Sequence, residues 1–116
     1  MRNDRTNIIV DKTFGFALQI IEFSEKLFEQ RRFSLANQIF KSGTSIGANV
    51  RESQNAESKA DFIHKVKIAA KEADEVEYCL LLCRHSERLI TPEEQTFLEL
   101  REIQLILSKI ISTSKS

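Results

Sequence analysis

Residues 34–86 read SLANQIFKSGTSIGANVRESQNAESKADFIHKVKIAAKEADEVEYCLLLCRHS, and this stretch decides the fold. Its second half carries Phe62, Val66, Ala69, Ala73, Val76, Leu80 and Cys83 at alternating spacings of three and four. That is the seam of a helix packed on a core. Ile63, Ala70 and Leu81 flank the seam, and Glu77 falls between seam and flank, where a carboxylate needs a partner. Ser58-Lys59-Ala60-Asp61 resembles a capping box and opens the helix, which the pattern predicts over about 58–86. The first half predicts a helix over about 34–52, capped by Ser34, with Leu35, Ile39, Gly43, Ile46 and Val50 on one face. Gly43 and Gly47 lie inside it. A mid-helix glycine costs roughly 1 kcal/mol relative to alanine, so the pair predicts a close helix–helix contact that has no room for a Cβ.

Outward from this pair, the same reasoning predicts two more helices. The first runs over about 13–30, capped by Asp11 or Thr13, with an apolar arc far wider than a surface helix needs. Phe14, Ala17, Leu18, Ile21 and Phe28 fall on one side of it. Phe16, Ile20, Phe23 and Leu27 form a second face, which a small monomer would leave wet. The last helix is predicted over about 91–112, opened by Thr91-Pro92-Glu93-Glu94 in the order cap, proline, carboxylates, with the residues after Ser112 fraying. Connections near 31–34, 53–57 and 87–91 are short, so neighbours run antiparallel. The prediction is an all-α, antiparallel up-down-up-down four-helix bundle occupying 1–116 as one domain with short flexible ends.

Composition agrees. Only 3 Gly and 1 Pro occur in 116 residues, too few for the turns of an all-β domain. The chain holds 2 Cys, not a disulfide framework, has no apolar run of membrane-spanning length, and shows no signal-peptide layout in Met1–Val10. A cytoplasmic protein is the expectation. Lys+Arg and Asp+Glu balance at 17 each, which excludes a uniformly basic surface.

No catalytic constellation stands out. Cys79 and Cys83 are one turn apart, but His85 points elsewhere and His64 lies several turns away, short of the four converging ligands of a zinc site. The Glu-x-x-His pairs of di-iron bundles and a glycine-rich phosphate loop are both missing. No cofactor, metal or enzymatic activity is expected. What does stand out is a polar stripe, Ser42, Ser45, Asn49 and Glu52, with Lys41 at its edge. Its plain reading is an interhelix network to Glu72 or Glu75. Its functional reading is a groove for a phosphate backbone or a protein partner. Lys59, Lys65, Lys67 and Lys71 line the third helix among acidic residues, and in a ring of subunits such a local excess repeats around the axis.

Residues 38–78, QIFKSGTSIGANVRESQNAESKADFIHKVKIAAKEADEVEY, resemble the central signature of the 23S rRNA intervening-sequence proteins. Gln38, Lys41, Ser42, Ser45, Ile46, Ala48, Asn49, Glu52, Phe62, Ile68, Ala69, Glu72, Glu75 and Tyr78 stand on matching positions. Residues 7–21, NIIVDKTFGFALQII, are similar to the family's first-helix entry. Two features depart from its pattern: the balanced charge, where relatives are basic, and Arg51, where many members carry a small or aliphatic residue.

The resemblance implies an antiparallel four-helix bundle that assembles as a homopentameric ring and has no enzymatic activity. It also implies kinship with accessory proteins of diversity-generating retroelements, which bind nucleic acid and a reverse transcriptase. The expected function is therefore that of a non-enzymatic homo-oligomer associated with RNA or DNA, an accessory or adaptor protein. The alternative is a purely protein-binding or structural ring. Lys41, Arg51, Lys59, Lys65 and Lys71 are the candidate nucleic-acid contacts. The face formed by Phe16, Ile20, Phe23 and Leu27, or the broad face of the last helix, is the candidate oligomer interface.

Overall fold

The computed structural model describes residues 4–115, with side chains from Ile8 onward. Of the expected flexible ends, residues 1–3 and 116 lie outside the described residues. Among the described residues four helices make up the fold: α1 (Asp4–Glu29), α2 (Phe33–Ser53), α3 (Lys59–His85) and α4 (Glu94–Lys115). Each packs on its chain neighbour, and α4 closes back on α1.

Paired residues give the directions. Going up α1, Lys12 meets Glu102 and Gln19 meets Glu99, so α4 descends. Gly47 lies beside Thr13 and Gly43 beside Ile20, so α2 also runs against α1. Lys65 bonds Glu52 across α2 and α3, and Lys41 acts on Glu72 further along. Arg84 bonds Glu94 while Gln104 bonds Asp74 and Glu77, so α3 and α4 run oppositely. Every adjacent pair is antiparallel, and the product is an up-down-up-down bundle about 45 Å long.

The helix starts differ from expectation in instructive ways. α1 begins at Asp4, well before the caps expected at Asp11 or Thr13. The core stripe continues upstream through Ile9, which is 1% exposed, and the helix continues with it. Thr13 sits mid-helix, fully buried, its hydroxyl donating to the carbonyl of Ile9 at 2.8 Å. That back-bond satisfies a threonine inside a helix.

Ser34 is inside α2 rather than capping it; the residue before the helix is Arg32, and no side chain caps this end. α4 begins at Glu94, so Thr91 is not its cap and Pro92, buried, lies just ahead of the helix. At its far end α4 runs to Lys115 instead of fraying after Ser112. The α3 start is as read: the Ser58 hydroxyl accepts from the Asp61 N–H at 3.0 Å.

α1 presents to the core the face formed by Phe16, Ile20 and Leu27, each fully buried, with Phe23 half-buried beside them. This corrects the expectation that these residues form an oligomer interface. The wheel shows two apolar faces, and only packing decides which one turns inward. The glycines contribute to that choice. A Cβ on Gly43 would lie 2.5 Å from Ile20 Cγ2, and one on Gly47 would lie 3.3 Å from Thr13 Oγ1. At Gly43 α2 can approach α1 this closely only because the side chain is missing, whereas at Gly47 a Cβ would press lightly on Thr13.

Candidate functional site

Chemistry-bearing residues collect on the outer faces of the bundle. The first group is the polar stripe between α2 and α3. Ser42 is buried, Ser45 and Asn49 are half-buried, and Glu52 is exposed. Asn49 Nδ2 donates within its own helix, to the Ser45 carbonyl at 2.9 Å, rather than across to Glu72 or Glu75 as expected. Glu52 accepts from Lys65 Nζ at 3.0 Å.

Across the groove, half-buried Glu72 has its pKa raised. Burial is the main cause, followed by a hydrogen bond and charge repulsion from Glu75, while Lys41 and Lys71 act in the opposite sense. The nearby Glu75 thus favours the protonated form of Glu72. Glu77 finds the partner that the sequence called for: Gln104 Nε2 donates to it at 3.2 Å and to Asp74 at 3.2 Å.

The cations form the second group. Of the five candidate contacts, Lys65 is committed to Glu52, and this partner holds its pKa up. Lys41, Arg51, Lys59 and Lys71 are exposed, and none forms an ion pair among the described residues. The structure adds a pair absent from that set. Lys115, at the end of α4, stands next to Lys67 on α3, and their repulsion lowers the Lys67 pKa. Lys71 follows Lys67 by one turn on the same helix face. Only the tertiary fold brings residues 67 and 115 together, so no sequence pattern could have shown it.

The third group is apolar. Phe14, Leu18, Phe28, Phe33 and Phe40 on α1 and α2 are each 43–55% exposed, an unusual set for a small domain. Phe28 and Phe33 meet edge to face at 4.7 Å. On the opposite side, Leu81, Leu98 and Leu105 on α3 and α4 are exposed, with Tyr78 and Leu82 beyond them on α3. Arg84 lies 4.5 Å over the Phe97 ring at one end of that side.

The two cysteines, Cys79 and Cys83, belong to the core. Burial pushes both thiols up, Cys83 to about 11, far from the thiolate needed for reactivity. Among the described residues no group of three or more His, Cys, Asp or Glu is placed to hold a metal ion. No helix among them is long and apolar enough to cross a membrane.

Lys41 on α2 thus acts on Glu72 across the two helices, and Glu52 at the other end of the stripe is bonded by Lys65 of α3. A model of the 23S rRNA-intervening sequence protein matches residues 5–112, spanning all four helices. The chain belongs to this family. A second likeness agrees: a crystal structure from Bacteroides thetaiotaomicron, described as a protein of unknown function from the S23 ribosomal protein family, is 42% identical. The likeness covers 93% of this chain and 98% of that one, with a TM-score of 0.85. Among curated proteins none matches this chain.

Proposed function

We propose that this protein is a non-enzymatic, self-associating accessory protein that engages RNA or DNA through the cationic end of α3 and α4. The observation that carries this reading is the Lys67–Lys115 pair with Lys71 one turn away. Like charges held together without a described carboxylate partner gain most when a polyanion neutralises them. A phosphate backbone does so while releasing its counterions. Lys41, Arg51 and Lys59, exposed and without ion pairs, extend the set. Self-association multiplies it, because each copy adds the same cations around a common axis, and this offsets the zero net charge of one chain. The family's name supports a ribosomal RNA context.

The test is fluorescence anisotropy with a structured ribosomal RNA fragment. Binding at low salt should weaken steeply between about 50 and 200 mM salt. The triple variant K67E/K71E/K115E should lose binding at least tenfold with unchanged helical content. No binding at tens of micromolar protein in low salt would overturn the reading.

One observation favours the second reading, a purely protein-binding or structural ring. The exposed apolar surface is more conspicuous than the cationic one. Under that reading self-association persists and RNA is ignored.

A further inference from the structure

Lys67 lacks the carboxylate neighbours that most lysines of this chain have. Lys12 is bonded to Glu102 and Lys65 to Glu52. Lys26 has Glu22 and Glu29 one turn away, Lys71 has Asp74 and Glu75, and Lys41 acts on Glu72. One turn to either side of Lys67 stand Ile63, His64, Ala70 and Lys71, none of them acidic. Lys67 is exposed and forms no ion pair among the described residues.

The register of α3 and α4 brings a second cation to it. Gln104 bonds Asp74 across the two antiparallel helices. From that contact Lys67 lies back along α3 while Lys115 lies onward along α4. At about 1.5 Å per residue their backbones come level to within about 6 Å along the bundle, a gap that two lysine side chains span. Their ammonium groups meet there, and Lys115 lowers the Lys67 pKa by charge repulsion and by direct contact. The carboxylates of this groove, Asp74 and Glu77, lie about two and three turns from Lys67, and both accept from Gln104. Lys67 touches Lys115 and has Lys71 one turn on, so it is the cation common to both neighbours.

This arrangement acts on an amine in two ways. Proton loss is easier beside another cation, and the neutral amine is the nucleophile. The flanking ammonium groups also attract and orient a phosphate group. A small acyl phosphate carries both an electrophilic carbonyl and such a phosphate as its leaving group.

We propose that Lys67 is an acylation site for small acyl phosphates, with Lys71 and Lys115 holding the phosphate while Lys67 Nζ attacks the acyl carbon. The Nζ lone pair forms the new N–C bond. The bond from the acyl carbon to the bridging oxygen breaks, and inorganic phosphate leaves with its electron pair. The proton lost by Nζ passes to water. The product is an uncharged amide. Its consequence for RNA rests on the reading proposed above: acylation removes the central cation of the set and weakens RNA binding.

The experiment incubates the full chain with acetyl phosphate and follows each lysine by peptide mass spectrometry. Lys109 is the internal reference, being exposed, with uncharged Leu105, Ile106, Ser112 and Thr113 one turn away on its helix. Lys67 should be acetylated several-fold faster than Lys109. Excess inorganic phosphate, at matched ionic strength, should protect Lys67 and spare Lys109. Lys115→Gln should bring Lys67 down to the Lys109 rate, whereas Lys115→Arg, which keeps the charge, should keep the preference. Equal rates at Lys67 and Lys109 in the unaltered chain, or a preference that survives Lys115→Gln, would overturn the assignment.

RNA anisotropy on the same acetylated samples separates the two readings. Affinity that falls in step with Lys67 occupancy supports control of binding by acylation, and unchanged affinity overturns it. An unmodified chain that binds no RNA overturns the RNA reading and leaves the acylation site standing.

Discussion

Gly15, Gly43 and Gly47 all sit in helices, yet the same substitution has opposite consequences at two of them. An added Cβ at Gly15 meets nothing within 4 Å, whereas at Gly43 it would overlap the branched Ile20 side chain close to its backbone. Alanine at Gly15 should stabilise by up to about 1 kcal/mol, the helix-propensity difference. Alanine at Gly43 gains the same propensity but forces α1 and α2 apart, at about 1–3 kcal/mol for overpacking, and the net effect should be a loss. Thermal melts of G15A and G43A should move in opposite directions. Glu72 offers a pH-dependent test. Its folded pKa is raised by burial and by Glu75, so its ionised form is the one that folding disfavours. Stability should fall as pH climbs from the ordinary value of 4.5 through the raised one. Glu72→Gln should therefore raise the melting temperature at pH 7, with the difference shrinking to nothing below the carboxylate range. A constant difference across pH would contradict this origin.

At the scale of elements, the α1–α2 connection is governed by one unusual backbone. Arg31 has φ of 66°, in the left-handed region. Arg32 N–H donates to the Leu27 carbonyl at 3.0 Å and Arg31 N–H to Phe28 at 2.9 Å, the paired closure of a Schellman ending. Glycine is the residue suited to that position, and no glycine is there, so the sequence showed the break without showing its geometry. Arg31→Gly should stabilise by roughly 1 kcal/mol, the strain relieved being of order 1–2 kcal/mol against glycine's greater chain entropy. Chemical denaturation would measure it. The α3 start was legible because Ser58 and Asp61 act within one turn. The α1 start was not, because Asp11 and Thr13 look like caps until the burial of Ile9 shows the core stripe passing beneath them. α3 shows a limit of another kind. Its seam was readable residue by residue, including the need of Glu77 for a partner, but Gln104 as that partner comes from a different helix.

For the whole molecule, the decisive feature is surplus apolar surface. A chain of this size has room for one core, and α1 carries enough hydrophobic residues for two faces. Once Phe16, Ile20 and Leu27 fill the core, Phe14, Leu18 and Phe28 are left outside with Phe33 and Phe40. The same assembly that would cover them would also repeat the Lys67–Lys71–Lys115 cluster around its axis. If Phe40→Asp, at an exposed position on that surface, disperses such an assembly in light scattering, the RNA affinity of the protein should drop with it, although no cation is changed.

The sequence by itself determined the helix count, the antiparallel order and the close α1–α2 approach at Gly43 and Gly47. These follow from local periodicity, short connections and the steric demand of a missing Cβ, all of which are encoded within a few residues. The tertiary structure alone decided which face of α1 turns inward, which lysines meet, and where the leftover apolar surface lies. Those outcomes depend on competition between distant segments for a single core, and no short window of sequence contains both competitors.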